Sequence, residues 1–343
     1  MSVVNMNPTE SGTATQAAAP ARVLGWGLGV LLLTLAVMAL SVSVGSTGWS
    51  PPWTAHADPL AWQIVADIRA PRTLGAWLAG GLLALAGAMA QGLFRNPLAD
   101  PYLLGSSSGA ALGVAVSLAL WGVGPSTANW WMRLGLTGAA FVGSVSAVML
   151  TLTLARGVQH TLRLLLAGVV VGVVLGAVSA LTMLLVPDIM RAMQAFMLGT
   201  TGFMGWQAVS LMAPVWGLAV LVAVGGGRAL DAMSLGDAAA QSLGVRLGAV
   251  RVGLVATLAL ATGTAVAQAG LISFVGLVAP HLVRSRLRCT HGALMVLSTL
   301  VGGLLLLLAD TLARWVLAPQ ELPVGVLTAT LGGAYLLWRM HRS

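Results

Sequence analysis

Lysine is absent from the 343 residues, and all 17 basic side chains are arginine. That absence excludes chemistry. A P-loop grips phosphate with its lysine, so this chain cannot hold ATP in the Walker manner. A Schiff base needs an amine, which removes retinal-type pumps and lysine-based covalent catalysis. Cysteine is nearly missing as well: Cys289 stands alone, which permits neither an internal disulfide nor a thiolate cluster. Charge as a whole is scarce. Charged residues are 8% of the chain, where a soluble domain carries about 25%. Hydrophobic residues are 58%, so the solvent this chain needs is lipid. The net charge of +8 does not point to nucleic acid, because the arginines scatter at the ends of apolar runs and build no basic face.

What is present is a series of long apolar runs. Residues 1–21 are polar and small and read as a disordered cytoplasmic tail, and 22–342 as a single transmembrane domain. Ten membrane helices are expected, near 22–46, 73–93, 104–124, 134–155, 163–186, 206–226, 247–268, 270–287, 292–312 and 324–340. The pair within 247–287 is the hardest to separate. The first run exceeds the apolar core of a signal peptide and reads as a span, with a small-residue cleavage site near Ser41–Ser46 as the alternative. The expected fold is an all-α polytopic membrane protein. With the N-terminus inside, Arg22, Arg95, Arg156, Arg163, Arg228, Arg246, Arg251, Arg284, Arg286, Arg288, Arg339 and Arg342 fall on one side. Arg69, Arg72, Arg133, Arg191 and Arg314 fall on the other. The larger group marks the cytoplasm, which puts both termini there, as an even number of helices also requires.

Glycines suggest how the helices meet. Gly105, Gly109 and Gly113 recur every four residues, as do Gly168, Gly172 and Gly176. Each set lines one helix face and permits close backbone approach; the competing reading is a ligand path. The longest cytoplasmic connection is about 227–246. Within it, Ser234, Leu235, Gly236, Asp237, Ala238, Ala239, Ala240, Gln241, Ser242, Leu243 and Gly244 read as a short surface helix. Ser234 and Asp237 have capping-box spacing, the alanines propagate the helix, and Gly244 can stop it. Read alone, it could equally be a solvated loop. Near another helix end, Pro280 and His281 suggest a hydrogen-bonded structural histidine before a proton relay or ligand. Asp310 is an acid inside an apolar run, and Arg314 one turn later is its partner by spacing, which favours a structural ion pair over a relay.

Several segments together resemble one family, the FecCD-type permeases of ABC importers for ferric siderophores, haem and vitamin B12. They are RAPR at 69–72, QGLFRNPLADPYLLGSSSGAALG at 91–113, RLLLAG at 163–168, LGDAAAQSLGV at 235–245, GLISFVGLVAPHLVR at 270–284, ADTLAR at 309–314 and ELPVGVLTATLGG at 321–333. The resemblance covers about 22–342. It implies a multi-pass protein of the inner membrane, surrounded by lipid and built as a homodimer or a pair of like subunits. It also implies two cytoplasmic ATPase subunits that bind the ATP–Mg, a periplasmic binding protein that delivers the cargo, and no cofactor on this chain. Arg69, Arg72 and Arg314 match arginines that face the binding protein and pair with its acidic residues. Ser234–Gly244 matches the coupling helix seated on the ATPase. Thr161 and Leu162 fall where the family has its cytoplasmic gate. RAPR stands for the commoner RLPR, and GGAYLLW at 332–338 lacks a proline of the family ending, which should remove a kink from the last helix. The expected function is permeation of a metal chelate, ferric siderophore first, haem and cobalamin next. An ion-coupled secondary transporter and a membrane scaffold are the competing classes. The former usually needs several midplane ionisable groups, and only Asp310 offers itself.

Overall fold

The computed structural model describes residues 20–45, 48–49, 51, 58–121, 130–155 and 161–342. Helix α1 (Pro20–Ser43) leads to a two-residue ribbon, β1 (Val44–Gly45) antiparallel to β2 (Gly48–Trp49). Helix α2 (Pro59–Ile64) runs through a π turn at Val65–Arg69 into α3 (Ala70–Phe94). Then come α4 (Ser106–Trp121), α5 (Trp130–Leu154), α6 (Thr161–Leu185), α7 (Met190–Leu198) and α8 (Trp206–Ser234). The chain closes with α9 (Asp237–Ser242), α10 (Leu247–Ala269), α11 (Val275–Arg286), α12 (His291–Trp315) and α13 (Val324–Arg342).

Each of the ten expected spans coincides with a helix. Among the described residues, seven helical stretches are both long and apolar enough to cross a membrane, one of them the continuous Pro59–Phe94. The other three expected spans are α4, with 16 residues, α11, with 12, and α13, which carries Arg339 and Arg342. α13 is unbroken, as the missing proline implied. Two boundaries change. The first helix begins at Pro20, inside the expected tail, whose residues 1–19 lie outside the described residues. The span expected at 270–287 is helical only from Val275. Twelve residues rise about 18 Å, short of a hydrocarbon core of about 30 Å. Non-helical backbone at that depth needs partners inside the protein. The unexpected short helix α7 supplies one, Phe196 O, which accepts from Leu271 N at 3.0 Å, and just past it Thr200 N donates to Ala269 O at the end of α10 at 2.8 Å. Tyr102 Oη donates to Ile272 O at 3.0 Å.

One helix is enclosed by the others. In α3 every residue except Ala70 and Leu74 is buried, whereas α1 and α6 keep long rows of leucine and valine exposed. Pro71 stands just past the π turn, where the helix changes from π to α geometry. The helix ends where Arg95 turns left-handed at φ 49°; Asn96 N then reaches Gln91 O at 3.1 Å and Arg95 N reaches Gly92 O at 3.3 Å, a Schellman closure. Small residues let the neighbours close on α3. A Cβ on Gly87 would stand 1.8 Å from Gly276 O of α11, and one on Gly80 would stand 2.3 Å from Gly302 O of α12.

The glycine ladders divide. Cβ atoms on Gly109 and Gly113 would lie 2.3 and 2.1 Å from carbonyl oxygens of α5, and one on Gly168 would lie 2.0 Å from Leu103 O. These are contact glycines, as the packing reading expects. Gly172 and Gly176 face Ser108 Oγ at 3.7 and 4.0 Å, ordinary contact distances that demand no glycine.

Candidate functional site

Two polar clusters sit at opposite ends of the bundle. Their arginines are those assigned to opposite membrane sides by the arginine count.

At the outer end, Asp310 of α12 gathers side chains from across the chain. Arg72 of α3 donates to Asp310 Oδ1 from Nε at 3.0 Å and from Nη2 at 2.9 Å, and Thr201 Oγ1 donates to the same oxygen. Arg314 Nη2 lies 3.0 Å from Oδ2, the expected ion pair one turn on, and makes charge contact there without hydrogen-bond alignment. Arg72 Nη1 also holds Glu321 Oε2 at 2.9 Å. Arg314 continues into the end of α1, donating to Ser41 O at 3.1 Å, Val44 O at 2.7 Å and Ser41 Oγ at 2.6 Å. Arg69 Nη1 donates to Val42 O at 3.3 Å.

Arg69, Arg72 and Arg314 are only 8%, 8% and 2% exposed, and Arg72 and Arg314 are committed to carboxylates of their own chain. An ion pair this deep forms because desolvated guanidinium groups need anions near them. The cluster fastens α1, α3, α12 and the 316–323 segment together. Asp58, Asp67 and Asp188 fall on the same side as Asp310 and Glu321, so the outer side carries as many acids as arginines, five of each.

At the inner end, Asp237 opens α9. The capping box is not formed: Ser234 belongs to the end of α8 and donates to Asp231 O at 2.6 Å, while Gly236 caps α9 without a side-chain bond. The stop at Gly244 holds, at φ +82°, with Val245 N reaching Ala240 O at 3.0 Å and Gly244 N reaching Gln241 O at 2.9 Å. Asp237 Oδ2 accepts from Arg251 Nη2 of α10 at 2.7 Å, and Oδ1 accepts from Arg95 Nη2. The Arg251 hydrogen bond, seconded by Arg95, holds this carboxyl below the usual carboxylate range. A depressed value means that the tie is fully present above the unfolded value of about 3.9 and is lost as pH falls through the lower folded one. A protonated-carboxyl infrared band in the wild-type-minus-Asp237→Asn difference should therefore be absent at about pH 5 and appear only below about pH 4.

α9 offers a surface. Leu235 and Leu243 are 70% and 65% exposed, with exposed Ala238 between them, while Ala240 is turned inward and fully buried. Thr161 and Leu162 form the first turn of α6, where Leu162 is exposed. His281 is not hydrogen-bonded at Nε2 among the described residues; its ring packs edge-on to Tyr335 at 5.8 Å. Cys289 is half-buried in the turn between α11 and α12.

Arg95, Arg251, Glu321, Thr201 and Ser41 escaped the sequence reading. One signal existed: nine acids serve 17 arginines, so an acid at a helix end is apt to be shared by two. Asp237 and Asp310 both are.

Comparison with known proteins agrees with this arrangement. A family description for the FecCD transport family matches residues 31–342. The hemin transport system permease protein HmuU of Yersinia pestis is 40% identical over 325 residues, 92% of this chain and 95% of that protein. The vitamin B12 import system permease protein BtuC of Salmonella typhimurium is 37% identical over 322 residues, 93% and 95% of the two chains. A solved metal-chelate type ABC transporter in an inward-facing conformation superposes with a TM-score of 0.84 at 25% identity, covering 93% of this chain and 100% of that one.

Proposed function

Because the chain belongs to the FecCD transport family and is the transmembrane permease subunit of an inner-membrane ABC importer, we propose that it carries haem from periplasm to cytoplasm. The observation behind that cargo is the hemin permease, 40% identical over nearly the whole of both chains. It moves haem ahead of ferric siderophore, which the sequence alone placed first, and of cobalamin. The machinery proposed is a pair of identical permeases, two cytoplasmic ATPase subunits that hydrolyse ATP, and a periplasmic binding protein. α9 is the coupling helix, its exposed Leu235 and Leu243 entering a groove of the ATPase. Thr161 and Leu162 form the inner gate. The binding protein docks over the outer end, whose face the largely buried guanidinium groups of Arg69, Arg72 and Arg314 hold in shape. The secondary-transporter reading weakens because Asp310 is already occupied by Arg72, Arg314 and Thr201.

Uptake of labelled hemin, ferric siderophore and cobalamin in a strain lacking its own permeases decides the cargo. Hemin is expected to enter only when the permease and both partners are expressed. Entry of siderophore or cobalamin alone overturns the haem assignment.

A further inference from the structure

The geometry points to Asp237 as a positioning residue that ties the ATPase-facing helix to the transmembrane core, and this inference rests on the coupling role proposed for α9. Little else fixes that helix. It lies between two glycines with left-handed backbone, Gly236 at φ +109° and Gly244 at φ +82°, and its N-terminus has no side-chain cap. Ala240 is its only buried side chain, so a single methyl group seats it on the bundle. Backbone joints at both ends and so small an apolar seat leave the direction of α9 to its polar contacts.

Those contacts converge on one carboxylate. Oδ2 takes Arg251 Nη2 at 2.7 Å, and Oδ1 takes Arg95 Nη2. Arg251 stands in the second turn of α10, its side chain 6% exposed and therefore held in place. Arg95 closes the buried helix α3 in a left-handed backbone conformation and reaches α9 from there. One residue thus bridges three elements, and a displacement of α9 is passed to α3 and α10 together rather than taken up at the glycines.

Magnitude separates this role from a stabilising one. Arg95 and Asp237 are 41% and 44% exposed, a pair worth about 0–1 kcal/mol. The 6% exposed Arg251 keeps an acceptor in Asp237→Asn, whose amide oxygen can still take its hydrogen bond. Losing the carboxylate should therefore leave the protein folded while freeing α9 from the core.

The test uses the whole transporter, permease with its ATPase and binding protein, in proteoliposomes with labelled hemin. Asp237→Asn is expected to keep ATP hydrolysis, to shift the thermal midpoint by less than about 4 °C, and to raise the ATP consumed per hemin imported about fivefold or more. Asp237→Glu, which retains both oxygens, restores the ratio. Adding Arg95→Gln to Asp237→Asn gives no further loss, because the two act as a unit. An unchanged ratio in Asp237→Asn overturns the inference. A parallel arm places a cysteine by Ala238→Cys in a Cys289→Ser background. Cross-linking to the ATPase together with normal coupling in Asp237→Asn sinks the tie alone, whereas no cross-link removes the coupling role of α9 itself.

Discussion

Gly87→Ala is expected to prevent recovery of folded permease from the membrane, although it adds one methyl group to an apolar helix. The new Cβ would stand 1.8 Å from Gly276 O and 2.5 Å from its carbon, both backbone atoms that no rotamer change can move. Relief requires α3 and α11 to separate. The seam is tight from the other helix too: a Cβ on Gly276 would stand 2.8 Å from Leu83 O of α3 and 2.6 Å from Pro101 Cγ. Overpacking costs about 1–3 kcal/mol where side chains can yield, and more where they cannot. Gly172→Ala is the control. Its Cβ would meet Ser108 Oγ at 3.7 Å, and replacing glycine by alanine within a helix gains up to about 1 kcal/mol. Fluorescence-detected size exclusion of the two variants should give no monodisperse peak for the first and a wild-type peak for the second. Equal peaks would mean that α3 and α11 do not approach as described.

Asp310→Asn carries the second large effect. It leaves Arg72 and Arg314, 9% and 2% exposed in their side chains, facing each other without the anion between them. Removing one partner of a buried ion pair costs about 3–5 kcal/mol. Glu321→Gln, at a side chain 33% exposed, should cost about 0–1 kcal/mol. Thermal unfolding in detergent should show a clear fall of the midpoint for the first and little for the second. The comparison bears on any docking experiment: charge reversal at Arg72 or Arg314 disturbs the outer end itself. Loss of binding-protein affinity at those positions therefore counts only where the thermal midpoint is kept.

How much of this was legible in the residues differs by kind of interaction. Local features read well. Asp310 and Arg314 are one turn apart and pair as spacing demands; Gly244 ends α9, and the Gly109–Gly113 face meets α5. Apolar length placed the spans. It did not reveal that α3 is enclosed while α1 is peripheral, because lipid and packed helices reward the same side chains. The Arg72–Asp310 pair, 238 residues apart, and Arg95–Asp237, 142 apart, were out of reach of any periodicity. Their consequence lies at the outer end, where Arg72 and Arg314, matched to a docking face, are also internal ties. α7 was missed for another reason: nine residues are too few to span a membrane, and its visible link is one carbonyl, Phe196 O, which accepts from Leu271 N in the non-helical stretch before α11. The capping box failed at Ser234 because α8 runs on through that residue, leaving Gly236 as the joint.

The most direct measurement is hemin accumulation in proteoliposomes holding the purified permease, its ATPase and its binding protein, with ATP and ion gradients varied separately. The account predicts uptake that needs ATP and both partners and is indifferent to an imposed proton or sodium gradient. Uptake that persists without the ATPase and follows the ion gradient would contradict it.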